Sequence, residues 1–117
     1  MGRDMAIDLA GKGCRVICVD ILSKENEETA REISNLGFKS TAYTCDISDR
    51  EQVMKMAQEV SRVDILINNA GIVYFDALLD TPASIVTKVM EVNVTSQFWV
   101  SNCLMATTLQ FCTIICY

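Results

Sequence analysis

Three short strand-like runs end in residues able to hold a ligand. Residues 14–20 (CRVICVD) close on Asp20, residues 38–45 (FKSTAYTC) are followed by Asp46 and Ile47, and residues 63–67 (VDILI) run into Asn68-Asn69-Ala70-Gly71. A carboxylate at a strand end just before a helix can accept two hydrogen bonds from a ribose and repel a phosphate placed on its 2′ oxygen. Asp20 can equally be a helix-entry acid, and Asp46 a turn-capping aspartate; taken singly, both readings stay open. The tetrapeptide favours a site. Two amides and two small residues directly behind a strand let backbone approach a ligand closely while the amide side chains fix the turn.

The elements that would position these residues alternate along the chain. Met5, Ala6, Leu9 and Ala10 fall at helical spacing over residues 3–11, closed by Gly11 and Gly13. The run 14–20 is β-branched and nearly all apolar, as expected for a strand covered on both faces. Ser23 is the expected cap of a helix to about Leu36, with Glu27 and Arg31 paired four apart and Gly37 ending it. Residues 38–45 read as a second strand. Ser48-Asp49-Arg50-Glu51 has capping-box spacing, and behind it Val53, Met56, Ala57 and Val60 share one helical face. A third strand covers 63–67. Thr81 as cap and Pro82 as first residue start a helix running to about Met105, and the tail QFCTIICY is the expected fourth strand. Strands alternating with amphipathic helices imply an α/β fold with a parallel sheet and right-handed crossovers, whose ligands sit at the carboxyl ends of the strands.

Composition excludes several classes. The chain has 117 residues, half of them hydrophobic, and a net charge of −5. It suits one domain, residues 1–117, with a buried core. Lys and Arg are scattered, which argues against nucleic acid as partner, because phosphate binding needs a concentrated basic face. Six cysteines without a histidine make a poor zinc set, so no metal site is expected. Cys14 and Cys18 read as buried thiols in an apolar run; Cys112 and Cys116 could pair or bind metal, but packing in a core or against a membrane is the better reading. Residues 92–117 carry no charge, long enough to cross a bilayer. Asn93, Gln97, Asn102 and Gln110 interrupt that stretch and no cation flanks its far end, so a buried helix followed by a strand accounts for it better.

Gly2-Arg3, Asp20, Cys45-Asp46-Ile47, Asn68-Asn69-Ala70-Gly71 and Glu91-Val92-Asn93-Val94 occur in the order and approximate spacing of the short-chain dehydrogenase/reductase family, which the chain resembles over residue 2 to about residue 100. The wording NNAGIVYFDALLDT and EVNVTSQFWV is similar to the branch of retinol and 17β-hydroxysteroid dehydrogenases. The resemblance implies a dinucleotide-binding (Rossmann) fold with NAD as cofactor and a small lipophilic alcohol or ketone as substrate. Gly2 matches the last glycine of the pyrophosphate-binding turn. Asp20 matches the acid that binds the ribose and selects NAD, and Ile21 would flank the adenine. Asp46 and Ile47 match the pair at the adenine ring, and Asn69, Ala70 and Gly71 the segment along the cofactor. Asn93 matches the catalytic-relay asparagine that kinks its helix and holds a water.

The pattern is broken at both ends. The family's first strand and glycine-rich turn should precede Gly2, and that strand lies between those ending at Asp20 and Asn68, so its lack should expose two apolar sheet edges. Residues 101–117 read as a divergent tail, without the family's catalytic serine and Tyr-x-x-x-Lys; Tyr43, Tyr74 and Tyr117 do not match the tyrosine. These departures imply a partial Rossmann domain lacking its first strand and catalytic half, probed best as an inactive piece of an NAD-dependent oxidoreductase. The rival expectation is a non-catalytic truncated isoform that associates with full-length subunits. The family's dimer interface implies a homodimer through the helix starting at Thr81. The chain itself reads as cytoplasmic, while full-length relatives of this branch sit on endoplasmic reticulum or lipid droplets.

Overall fold

The chain winds alternately through helix and parallel strand, because each apolar run is followed by an amphipathic segment that returns across the sheet. The structure, a computed structural model, describes residues 1–60, 62–77, 79–105 and 113–116. In order these form α1 (Gly2–Gly11), β1 (Val16–Asp20), α2 (Ser23–Asn35), β2 (Ser40–Thr44), α3 (Arg50–Glu59) and β3 (Ile65–Asn68). They continue with α4 (Ala83–Met90), a π-helical turn (Glu91–Thr95), α5 (Ser96–Met105) and β4 (Thr113–Cys116).

All four strands are parallel, in the order β2-β1-β4-β3. The placement of β4 corrects the expectation of two bare inner edges. The tail strand enters between β1 and β3, with Val16 opposite Thr113 on one side and Ile65 opposite Thr113 on the other. The apolar tail supplies backbone donors and acceptors that β1 and β3 would otherwise leave unpaired. Among the described residues β2 and β3 are the two outer strands of the sheet, and on β3 Ile65 is 47% exposed.

Strand β1 shows why its sequence is apolar throughout. Val16 and Cys18 pack with Ala6, Ala10 and Ile33 under α1 and α2. Ile17 and Val19 join Val53, Met56, Val60, Val100 and Leu104 from α3 and α5 on the other face. Successive side chains point to opposite faces of a sheet covered on both, so every position must be apolar. The stripe Val53, Met56 and Val60 is buried as the spacing predicts.

Helix starts differ from expectation by one residue in three places. Asp49, not Ser48, caps α3, its carboxylate accepting from the Glu51 and Gln52 amides. Ser48 instead turns back to Asp46, which removes the capping box. Pro82 rather than Thr81 stands at the cap of α4, and the Thr81 hydroxyl donates to the Ala77 carbonyl. Ser23 is the first residue of α2 and makes no cap bond; the acceptor there is Asp20, whose Oδ1 takes the Leu22 amide at 2.8 Å. Only at α3 does another side-chain acceptor take the place of the expected hydroxyl; α2 and α4 begin without a side-chain cap bond. Among the described residues no helix is long and apolar enough to cross a membrane. The described residues of the charge-free stretch lie in the π turn, α5 and β4; residues 106–112 and 117, with Gln110 and Cys112, lie outside the described residues.

Candidate nucleotide site at the strand ends

Parallel pairing puts the carboxyl ends of β1, β2 and β3 on one edge of the sheet, with Asp20 opposite Thr44. Three cavities lie along that edge. The first, about 450 Å³, is lined by Gly2, Arg3, Asp20, Asn26 and Glu32, among others. The second, about 130 Å³, is lined by Ile21, Asp46, Ile47, Ala70, Gly71 and Lys88, among others. The third, about 300 Å³, is apolar and includes Ile72, Ile85, Val89 and Asn93. Asp20 and Ile21 are consecutive in the chain and line the first two cavities, while Ile72 borders both the second and the third. Eight of the nine residues singled out from sequence therefore line this row. Asn69 lines none of the three, although it directly precedes Ala70.

In the first cavity Gly2 is buried at the N-terminus of α1, where unpaired amides and the helix dipole favour an anion. Asp20 faces the same space. Its Oδ1 is held by the Leu22 amide, and among the described residues Oδ2 has no hydrogen bond, so one oxygen fixes the carboxylate and the other remains to accept. Arg3 is engaged by Glu32 through a forked pair at 2.6 and 2.7 Å. Asp20, Glu25 and Glu28 contribute three more carboxylates to the wall, which makes this part of the cavity acidic and unfavourable to an added anion.

The second cavity is framed by polar contacts. The Asp46 amide donates to Gln52 Oε1 at 3.0 Å, and Asp46 Oδ1 accepts from the Ser48 amide and hydroxyl at 2.9 and 2.6 Å. Burial works to raise its pKa, but the Ser48 hydrogen bonds and the Lys88 charge outweigh it and hold the carboxyl below the usual carboxylate value. The contribution of Asp46 to stability is thus present above its unfolded pKa and is lost as pH falls through the lowered folded one. Burial, then the charges of Asp46 and Asp49, push the neighbouring Cys45 thiol up to about 11, which keeps it protonated and unreactive near neutral pH.

Asn93 lies in the π-helical turn, as the expected helix irregularity requires. Its side chain clamps one residue at both ends: Oδ1 accepts from the Ile72 amide and Nδ2 donates to the Ile72 carbonyl, each at 2.8 Å. The extra residue per turn in a π segment turns the side chain out toward that loop. The clamp fixes the course of the chain just after Asn69-Ala70-Gly71. A Cβ on Gly71 would meet Asn93 Oδ1 at 3.6 Å, an ordinary contact, so the small residue there serves access rather than necessity.

Sequence reasoning missed Asn26 and Lys88. Asn26 is 2% exposed and ties α2 to β1 and β2; an amide in an otherwise charged helix was its only mark. Lys88 reaches from α4 to Ser48 and Asp46, 40 residues away along the chain from Ser48, and no local pattern announces such a contact. Among the described residues no cluster of metal-ligating groups occurs.

A doubly wound parallel sheet with acid and amide residues gathered at its strand ends defines a dinucleotide-binding domain. Within that class the chain belongs to the short chain dehydrogenase family, whose model matches residues 1–112, somewhat beyond the expected limit near residue 100. It is similar to human 17-beta-hydroxysteroid dehydrogenase 13, 34% identical over 114 residues, covering 94% of this chain and 38% of that protein. It is likewise similar to human epidermal retinol dehydrogenase 2, 38% identical over 104 residues, covering 85% of this chain and 34% of that protein. The fold superposes on a 7α-hydroxysteroid dehydrogenase complexed with NADH and 7-oxo glycochenodeoxycholic acid, with a TM-score of 0.85 at 30% identity, covering 91% of this chain and 43% of that one. The chain spans a little over a third of the curated relatives' length, and the fold is a partial Rossmann domain of oxidoreductase type.

Proposed function

We propose that the chain is the adenosine-binding part of an NAD-dependent oxidoreductase that moves a hydride between nicotinamide and an alcohol or ketone of retinoid or steroid type. The single observation behind this reading is the alignment of Gly2, Asp20, Ile21, Asp46, Ile47, Ala70 and Gly71 along two adjoining cavities. When bound, the cofactor supplies the hydride acceptor. The protein's part is to hold it: Gly2 and the α1 terminus at the pyrophosphate, Asp20 at the ribose, Asp46 and Ile47 at the adenine, and Asn69 to Gly71 along its far half. Asn93 belongs to the relay side, keeping the chain beyond Gly71 in place. The 117 residues contain no Tyr-x-x-x-Lys, and positioned acid–base groups contribute about a hundred- to ten-thousand-fold to such reactions. On this reading these 117 residues hold the cofactor without turning over substrate by themselves, and any membrane or lipid-droplet association remains a property inferred from the branch they resemble.

Cofactor choice provides the test. Losing one hydrogen bond to a charged partner costs about 1.5–3 kcal/mol, so Asp20→Asn should weaken NAD binding at least tenfold in an equilibrium titration while narrowing its margin over NADP. Equal NAD affinity in the two proteins would remove Asp20 from the ribose and undo the reading.

A second reading, association with other subunits, is favoured by the outer face of α4. No residue of α4 is buried, and Val86, Met90, Val94 and Phe98 form a stripe with exposures of 49, 51, 41 and 64%. Such contiguous apolar surface usually marks an interface. A homodimer through this helix is expected to shift to monomer in Met90→Glu by sedimentation; a wild-type chain that is monomeric at high concentration would end this second reading.

A further inference from the structure

Helix α4 has no buried residue, yet one of its side chains reaches the loop that follows β2. Lys88 Nζ donates to Ser48 Oγ at 2.6 Å and stands 3.5 Å from Asp46 Oδ2. The Ser48 hydroxyl has a single proton, which it gives to Asp46 Oδ1 at 2.6 Å, so its lone pair is what accepts from Lys88. Lysine, serine and aspartate thus form a directed chain in which each bond polarises the next. The Asp46 backbone is pinned by Gln52, and Oδ1 is taken up by Ser48 twice. What remains is Oδ2, on a residue that lines the small cavity together with Ile21, Ile47, Val92 and Lys88 itself.

We propose that Lys88 is a positioning residue of the purine subsite, clasping the Asp46 carboxylate so that Oδ2 accepts the 6-amino group of adenine and the site rejects a 6-oxo purine. The inference rests on the cofactor reading above. An ionised carboxylate only accepts hydrogen bonds. It matches the donor on adenine and opposes the acceptor oxygen that hypoxanthine carries at the same place. A site built around one such acceptor discriminates because the mismatched partner leaves a desolvated polar group unpaired. Lys88 acts through Asp46 and Ser48, by fixing the carboxylate's rotation and balancing its charge. The other ionisable groups beside Asp46 are Asp49 at the start of α3 and the protonated Cys45 thiol, neither of which can replace the ammonium.

The test titrates the 117-residue chain with NAD and with nicotinamide hypoxanthine dinucleotide, followed by amide NMR shifts, and separately follows the Asp46 carboxyl carbon against pH. Wild type should prefer NAD by about tenfold, the scale of one charged hydrogen bond. Lys88→Met should bind NAD several-fold more weakly, lose most of the preference, and show a higher Asp46 titration midpoint. Lys88→Arg should keep the preference, because a guanidinium retains charge and donors. High salt should mimic Lys88→Met in part, since the pair is half exposed. If Lys88→Met leaves the preference and the Asp46 midpoint where they were, the clasp is overturned. If wild type binds neither dinucleotide, the cofactor reading fails instead, and the Asp46 midpoint in Lys88→Met still decides whether the clasp exists.

Discussion

A chain ending at Met105 is expected to lose cooperative folding altogether. Strand β4 pairs with Val16–Val19 of β1 on one side and with Ile65–Asn68 of β3 on the other. Neighbouring strands lie about 4.8 Å apart, so deleting the inner strand leaves β1 and β3 about two spacings from each other. Closing that gap would drag α1 on one face and α5 on the other out of register with Val16, Ile17, Cys18 and Val19, which are at most 2% exposed. Each ladder bond contributes about 1 kcal/mol net, and a domain of this size has only about 5–15 kcal/mol in all. Two lost ladders with their covering exhaust it. Far-UV circular dichroism and a thermal scan of the truncated chain should show no cooperative transition, and size-exclusion should show aggregation through the freed edges. A sharp transition within a few degrees of the full chain's would mean that the sheet closes without β4.

This strand also marks the limit of what was legible in the residues. Its existence followed from an uncharged, β-branched tail, and the parallel sheet from the alternation of elements. Its neighbours did not. Period and propensity are local, whereas strand order is decided by which edges are left unpaired once the helices have packed. The site divides in the same way. Asp20, Asp46 and Gly71 stand out because strand ends converge in a parallel sheet, so their meeting is nearly a consequence of topology. The partners that hold them are set by tertiary geometry. Asp49 won the cap of α3 from Ser48 by one position, and the freed Ser48 became the link between Lys88 and Asp46. Asn93 was recognisable as a special position. Its clamp on Ile72, 21 residues back, depends on the π turn that no propensity scale foretells.

The second large effect is expected at Asn26, a residue without any motif. Its Nδ2 donates to the carbonyls of Cys18 and Tyr43 at 3.2 and 2.9 Å, fastening α2 across the seam between β1 and β2. Its Oδ1 is buried without a partner among the described residues. Asn26→Leu keeps the volume and removes the burden of that oxygen, but it also removes the hydrogen bonds to two strand carbonyls. Unsatisfied buried polar groups cost about 1–3 kcal/mol each, so the net loss should be about 2 kcal/mol in urea unfolding. Asn26→Asp is the sharper variant. At neutral pH it sets an ionised carboxylate against two carbonyl oxygens in a site 2% exposed, and like polarity in a poorly solvated place should cost more than the leucine does. Because protonating that aspartate restores one donor, the variant should regain stability as pH falls, opposite to the acid weakening expected from Asp46. The consequence for function runs through Asp20, two residues beyond Cys18 and bonded to Leu22 at the entrance of α2. Loosening the seam lets Asp20, the proposed ribose acceptor, move, so nucleotide affinity should fall with stability in both variants. A leucine variant as stable as wild type, with unchanged affinity, would reduce Asn26 to a passenger and leave the rigidity of the Asp20 corner to the backbone alone.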